Sequence, residues 1–174
     1  MEFSIQKSAD ILARTPKVLS IMLNNISIEW TSANEGEGTW SVFDIVGHLI
    51  HGEKTDWIPR MNIILSSSGQ KTFEPFDRYA QLREPEIKTL QQLLTEFEEL
   101  RDSNIDYLLS KNVSEKDLER KGIHPAFGEV TLAQLLSTWV VHDLNHVGQI
   151  ARVMAKQYKK EVGPWVAYLG ILQR

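Results

Sequence analysis

The sequence predicts an all-α protein: a four-helix bundle with one long crossover connection and a short C-terminal helix, forming one domain over residues 1–174. Three observations carry this. Four long segments repeat apolar residues at three- and four-residue spacing, and none alternates as a half-buried strand would. Each segment runs for roughly two dozen residues, the length of a bundle helix. The 174 residues also fall within the roughly 100–200 typical of one domain, enough to bury about two-thirds of the unfolded surface without cross-links.

The first segment runs from about Ser4 to Trp30, with Ile11, Leu12, Val18, Leu19, Met22, Leu23 and Ile26 as its stripe. Thr15-Pro16 interrupts it, because proline lacks the N–H that an inner turn needs. The sequence predicts a kink there, or a new start with Thr15 as N-cap and Pro16 in the first helical position. A polar loop over 31–38 follows. Ser41 then opens the second helix as a cap for the Asp44 N–H, with Trp40 and Ile45 placed as a hydrophobic staple. This helix is expected to reach about Pro59, or pass it to Leu65.

Residues 66–84 lack periodicity and read as the long crossover, with Phe73, Phe76 and Tyr79 available to cover the core. The third helix is expected from about Pro85 to Lys111, with Ile87, Leu90, Leu93, Leu94, Phe97, Leu100 and Leu108 facing inward. Residues 112–130 read as a connector with a short turn at Ser114–Leu118. Thr131-Leu-Ala-Gln134 is a capping box for the fourth helix, which should run to about Tyr158, and Trp165–Leu172 forms the short C-terminal helix.

Composition narrows the function. The chain has no cysteine, which excludes disulfides, thiolate zinc sites and a cysteine nucleophile. A net charge of −4 argues against a nucleic-acid partner. No apolar run reaches the roughly 18 residues of a membrane span. The run Met-Glu-Phe-Ser-Ile-Gln-Lys lacks a basic segment leading into an apolar stretch, so a cytoplasmic protein is expected. No phosphate-binding glycine loop or Ser-His-Asp order stands out.

The histidines carry the chemistry. His142 and His146 lie one turn apart on the fourth helix, and Leu135 and Val153 share their direction, so both rings face the bundle. Inward imidazoles need hydrogen bonds or a metal ion. A third ligand from the second helix is available as His48 or His51, and the apolar arc there separates them poorly. The alternatives are core histidines tied to Asp44, Asp143 or Asn145 without metal, or histidines idle at an exposed seam.

The run Gly38-Thr-Trp-Ser-Val-Phe-Asp-Ile-Val-Gly-His48-Leu-Ile-His-Gly-Glu53, together with His142-Asp-Leu-Asn-His146-Val-Gly-Gln149-Ile150, resembles the DinB superfamily. The likeness extends over nearly the whole chain, including His124-Pro-Ala-Phe-Gly. It implies a four-helix bundle that holds a divalent metal through one histidine of the second helix and a His-x-x-x-His pair of the last. The family's histidine stands eight residues after its Trp-Ser tryptophan, which implies His48, counting from Trp40. The implied ligands are His48, His142 and His146. Three imidazoles and an open position suit a catalytic zinc, with nickel and iron(II) as alternatives.

Around these ligands, Asp44 is expected to orient the His48 ring and Asp143 to stand behind the ligand helix. Asp56, Glu53 and Gln149 are the candidates for proton transfer or for holding a bound water or substrate; Glu53 otherwise bonds across to another helix. Gly52 is expected to leave room above His48, Trp139 to line the pocket, and His124 to anchor a loop. The resemblance implies a transferase that attaches a low-molecular-weight thiol, such as bacillithiol or mycothiol, to an electrophile. The alternatives are a metal-dependent hydrolase and a non-catalytic metal-binding stress-response bundle. The expected partners are small molecules and a second copy of the chain.

Overall fold

Two prolines decide where the long helices break. In the computed structural model, which describes residues 1–83 and 88–173, the first segment forms α1 (Ile5–Leu12), α2 (Thr15–Leu23) and a short α3 (Ile28–Ser32). In an unbroken helix the N–H of residue 16 would bond the carbonyl of residue 12. Pro16 has no N–H, so α1 stops at Leu12 and α2 starts afresh with the proline in its first turn. Thr15 is therefore the first helical residue, not the cap; Arg14 holds that position and makes no side-chain cap bond. The stripe splits with the helix: Leu12, Leu19 and Leu23 are buried, whereas Ile11 and Val18 are exposed.

The second segment behaves in the same way. It forms α4 (Val42–Thr55) and α5 (Trp57–Leu65), separated by Asp56 at φ −110°, ψ −69°. Pro59, third in α5, cannot donate to the Thr55 carbonyl. The cap at the start of α4 is as expected: Ser41 Oγ accepts from the Asp44 N–H at 3.2 Å, and Asp44 Oδ2 accepts from the Ser41 N–H at 2.9 Å.

The third bundle helix, α6 (Leu90–Ser110), opens on a Thr89/Gln92 capping box. The expected start at Pro85, and Ile87, lie outside the described residues. A single turn, α7 (Glu115–Leu118), follows. The connector then departs from expectation, for it contains an antiparallel hairpin of β1 (Lys121–His124) and β2 (Gly128–Thr131), with Lys121 opposite Thr131 and His124 opposite Gly128. Four-residue strands are too short to print a readable alternation. The crossover lies along β1: the Phe73 N–H donates to the Ile123 carbonyl at 2.9 Å, and the Ile123 N–H to the Lys71 carbonyl at 2.8 Å. A Cβ on Gly122 would stand 2.5 Å from the Phe73 ring, so glycine is what lets Phe73 seat beneath the hairpin.

The fourth bundle helix, α8 (Leu132–Lys156), starts on the expected Thr131/Gln134 box. The C-terminal segment is two 3₁₀ turns, Gly163–Tyr168 and Gly170–Leu172, in place of a single helix. No helix among the described residues is long and apolar enough to cross a membrane.

The four-helix bundle formed by α1–α2, α4–α5, α6 and α8 has two apolar clusters. One gathers Leu12, Trp57, Met61, Ile64, Phe73, Leu108, Leu136 and Trp139. The other gathers Leu19, Leu23, Val46, Leu49, Phe97, Ile150 and Val153. In sequence, every bundle helix passes between the two clusters through a polar stretch; these stretches carry Glu53, Arg101, Asp143, His142 and His146, while His48 lies within the second cluster's part of α4, between Val46 and Leu49.

Candidate metal centre

Packing of α4 against α8 brings His48 together with His142 and His146. One nitrogen from each ring lies within 4.8 Å of the others. His142 Nε2 stands 3.1 Å from His48 Nε2 and 3.1 Å from His146 Nε2. The His48 and His146 rings are buried, and among the described residues no carboxylate oxygen makes a hydrogen bond to any of the three.

Proton accounting shows what this cluster lacks. His146 Nδ1 lies 2.7 Å from Gln149 Oε1, an oxygen that only accepts, so the His146 proton is on Nδ1 and its Nε2 offers a lone pair. One site on His142 Nε2 then satisfies only one of its two 3.1 Å approaches, and the other is left without a hydrogen bond. A cation at the common point satisfies all three nitrogens. Tetrahedral zinc with bonds of about 2.0–2.1 Å puts its nitrogens about 3.3 Å apart, and octahedral bonds of that length about 2.9 Å. The observed 3.1 Å falls between. The donor set therefore fits a divalent metal of imidazole preference.

Several expected neighbours stand elsewhere. Asp44 is occupied by Ser41 and does not reach His48, whose Nδ1 makes no well-formed hydrogen bond, although the Arg78 backbone carbonyl approaches the ring. Gly52 leaves no free room: a Cβ there would lie 3.3 Å from Trp57 Nε1. Trp139 is fully buried and stacks on Trp57 at 5.8 Å, so Trp57, not Trp139, presents an indole to His142. Gln149 is the residue that orients the His146 ring. His51 lies outside the cluster, against Phe76 and Thr55.

Glu53 and Asp143 serve a different group. Arg101 is 0 % exposed, and its guanidinium donates to Asp143 at 2.5 and 3.0 Å, to Glu53 at 2.8 Å and to the Leu12 carbonyl at 2.9 Å. Glu53 also accepts from Trp139 Nε1 and Asn104 Nδ2, each at 2.9 Å. Burial alone would ease the guanidinium's proton away, but Asp143 and Glu53 outweigh it and hold that proton more tightly than usual. Neither carboxylate is free for proton transfer at the cavity. Glu53 takes the interhelix role; among the described residues Asp143 makes no hydrogen bond to an imidazole, and it acts on His146 through its charge.

The sequence profile of the DinB superfamily matches residues 11–150. The chain belongs to the DinB superfamily. Among solved structures, this DinB chain is similar to YfiT from Bacillus subtilis, described as a probable metal-dependent hydrolase with an unusual four-helix bundle topology, at 19% identity and a TM-score of 0.73 over 88% of this chain and 87% of that one. A DinB-like protein from Bacillus cereus ATCC 10987 aligns at 19% identity and a TM-score of 0.57, over 88% and 90%. The four-helix bundle protein TT2238 aligns at 18% identity and a TM-score of 0.54, over 88% and 98%. At these identities the likeness is one of fold. No curated protein matches the chain by sequence.

The DinB histidines form part of the wall of a cavity of about 800 Å³. Trp40, Trp57, Phe76 and Tyr79 bring aromatic faces to it, and Arg60, Arg78 and Arg152 bring charge. His124 also lines it while fulfilling its expected anchoring role: its Nδ1 accepts from the Ala126 and Phe127 N–H groups at 3.1 and 3.3 Å. Asp56 is the one expected proton-transfer candidate whose carboxylate faces this space. It pairs with Arg60 at 2.6 Å, and burial raises it to about 6 against the opposing pull of that arginine.

Burial pushes His48 down to about 4 and His142 to about 3, and each ring's neighbouring histidines push the same way. In the metal-free protein the unfolded rings take up protons below about pH 6.5 while the native rings do not. Their stabilising contribution is thus complete above pH 6.5 and is lost as pH falls toward 4. Asp56, with its pKa raised, opposes part of this below pH 6. We expect chelator-treated protein to lose on the order of 3 kcal/mol of stability between pH 7 and pH 4. Thermal unfolding across that range checks this; a His142→Gln variant should show a shallower decline, and equal slopes would contradict the assignment.

Proposed function

We propose that the protein is a metal-dependent hydrolase whose divalent cation, zinc foremost and nickel or iron(II) as alternatives, is held by His48, His142 and His146. The convergence of three Nε2 atoms at the wall of a substrate-sized cavity carries this reading. When bound, such a cation supplies Lewis acidity and lowers the pKa of a coordinated water or thiol toward neutrality. Gln149 fixes the tautomer that presents His146 Nε2. Trp57 packs edge-on against His142 at 5.2 Å, and Trp40 lies against His48 at 4.7 Å, so both rings are braced by apolar faces.

Asp56 is the chain's own proton acceptor in this reading. Its carboxylate lines the cavity, and a value of about 6 leaves it ionised yet basic enough to take a proton at neutral pH. The naming of YfiT as a probable metal-dependent hydrolase agrees with a water-based reaction. The cavity volume also favours a second reading, thiol transfer, since about 800 Å³ holds a cosubstrate beside an electrophile. A chain without cysteine must receive that sulfur from the cosubstrate.

Tag-free protein should carry about one metal ion per chain by elemental analysis. An ester and amide panel run with and without added thiol then separates the readings. Turnover that needs metal but no thiol, and that falls at least tenfold in Asp56→Asn, supports hydrolysis. Turnover that appears only with thiol shifts the assignment to transfer. Protein that neither retains nor takes up metal refutes both.

A further inference from the structure

The geometry points to Arg78 as an anion-recognition residue: it takes a carboxylate or phosphate group of a small substrate whose reacting end lies at the three imidazoles. This rests on the proposed reaction site and adds the substrate class to it.

The charges around the cavity single out this residue. Arg60 is paired with Asp56 at 2.6 Å, and Arg152 with Glu35, which accepts from it twice at 2.8 Å and also pairs with Lys156 at 2.8 Å. Those two pairs use the acidic side chains that line the cavity. Arg78, alone of the three arginines on the wall, has no carboxylate partner among the described residues. Its guanidinium is not loose, because its Cζ lies 5.8 Å from the Trp40 ring centre and 5.5 Å from that of Tyr79. Two aromatic faces hold the fork by cation–π attraction while leaving its edge N–H groups free to pair with two oxygens.

Position completes the case. The same Trp40 ring lies 4.7 Å from the His48 ring, so the guanidinium and the imidazole cluster share one aromatic neighbour. The charge of Arg78 also reaches the cluster, where it disfavours protonation of His48 and His146. A molecule spanning both would carry its anion only a few bonds from the reacting group, with Phe76 against its apolar body.

Calorimetric titration at pH 8, where the imidazoles are neutral, tests this with three probes of one shape: benzoate, phenyl phosphate and uncharged benzamide. The arms use chelator-treated and zinc-loaded wild type, Arg78→Gln and Arg78→Lys, with metal content measured for each. The expected result is that metal-free wild type binds at least one anion about tenfold or more tighter than benzamide. Arg78→Gln should abolish that preference without changing benzamide binding or zinc stoichiometry, and Arg78→Lys should retain part of it. Preference for benzoate over phenyl phosphate, or the reverse, identifies the anion. Equal anion binding by Arg78→Gln, or no anion preference in wild type, overturns the inference. Because the metal-free arm needs no zinc, loss of the metal assignment and loss of the Arg78 assignment are read separately.

Discussion

Arg101→Met is expected to cost about 3–5 kcal/mol of stability, a large part of the 5–15 kcal/mol that holds a typical domain. The reason is the group left behind, not the contact removed. Glu53 and Asp143 are buried carboxylates, and Asp143 is 0 % exposed. Without the guanidinium, among the described residues Asp143 keeps no other side-chain donor, and Glu53 keeps only Trp139 and Asn104. Both must then be buried as uncompensated charges or take up protons. Urea unfolding measures the loss. Adding Glu53→Gln and Asp143→Asn to the methionine variant should recover a substantial part of it, since removing the stranded charges removes most of the penalty. A loss below about 1 kcal/mol for Arg101→Met alone would show that the polar stretches are not held in this way.

His142→Ala is expected to weaken metal binding by more than about a hundredfold, beyond the 10–100-fold typical for residues that only orient a ligand. His142 is the most consequential of the three because its Nε2 is 3.1 Å from both others, so its loss removes both close approaches. Gln149→Ala keeps all three nitrogens and should cost about tenfold. His51→Ala should leave affinity unchanged, because that ring lies outside the cluster. Competition against a chromophoric chelator gives all three values. Stoichiometric metal held by His142→Ala at wild-type affinity would remove the three-histidine assignment.

The sequence announced the histidine-bearing helices clearly because their signals are local. His142 and His146 are one turn apart, and the caps at Ser41 and Thr131 fix where α4 and α8 begin. Arg101 was legible in principle. It lies four residues after Phe97 and four before Ile105, on the buried side of α6, where a charge demands a partner. Glu53 and Asp143 occupy inward positions for the same reason. They drew attention as neighbours of the histidines in sequence, but which buried acid meets which buried cation depends on how three helices pack. The hairpin and the cavity wall were harder to read. Trp57, Phe76, Arg78 and Arg152 come from separate segments, and only the crossover and the break at Asp56 assemble them.

The carbonyl that Pro16 sets free has a mechanical consequence. Arg101 seizes it and, with the same guanidinium, grips Glu53 five residues beyond His48 and Asp143 immediately after His142. Bundle helices with apolar seams could slide past one another by one turn, about 5.4 Å, and still bury comparable surface. Here such a slip would tear this clasp apart. A missing hydrogen on one proline thus helps to level the two rods bearing the imidazoles, so that their rings meet at the same height.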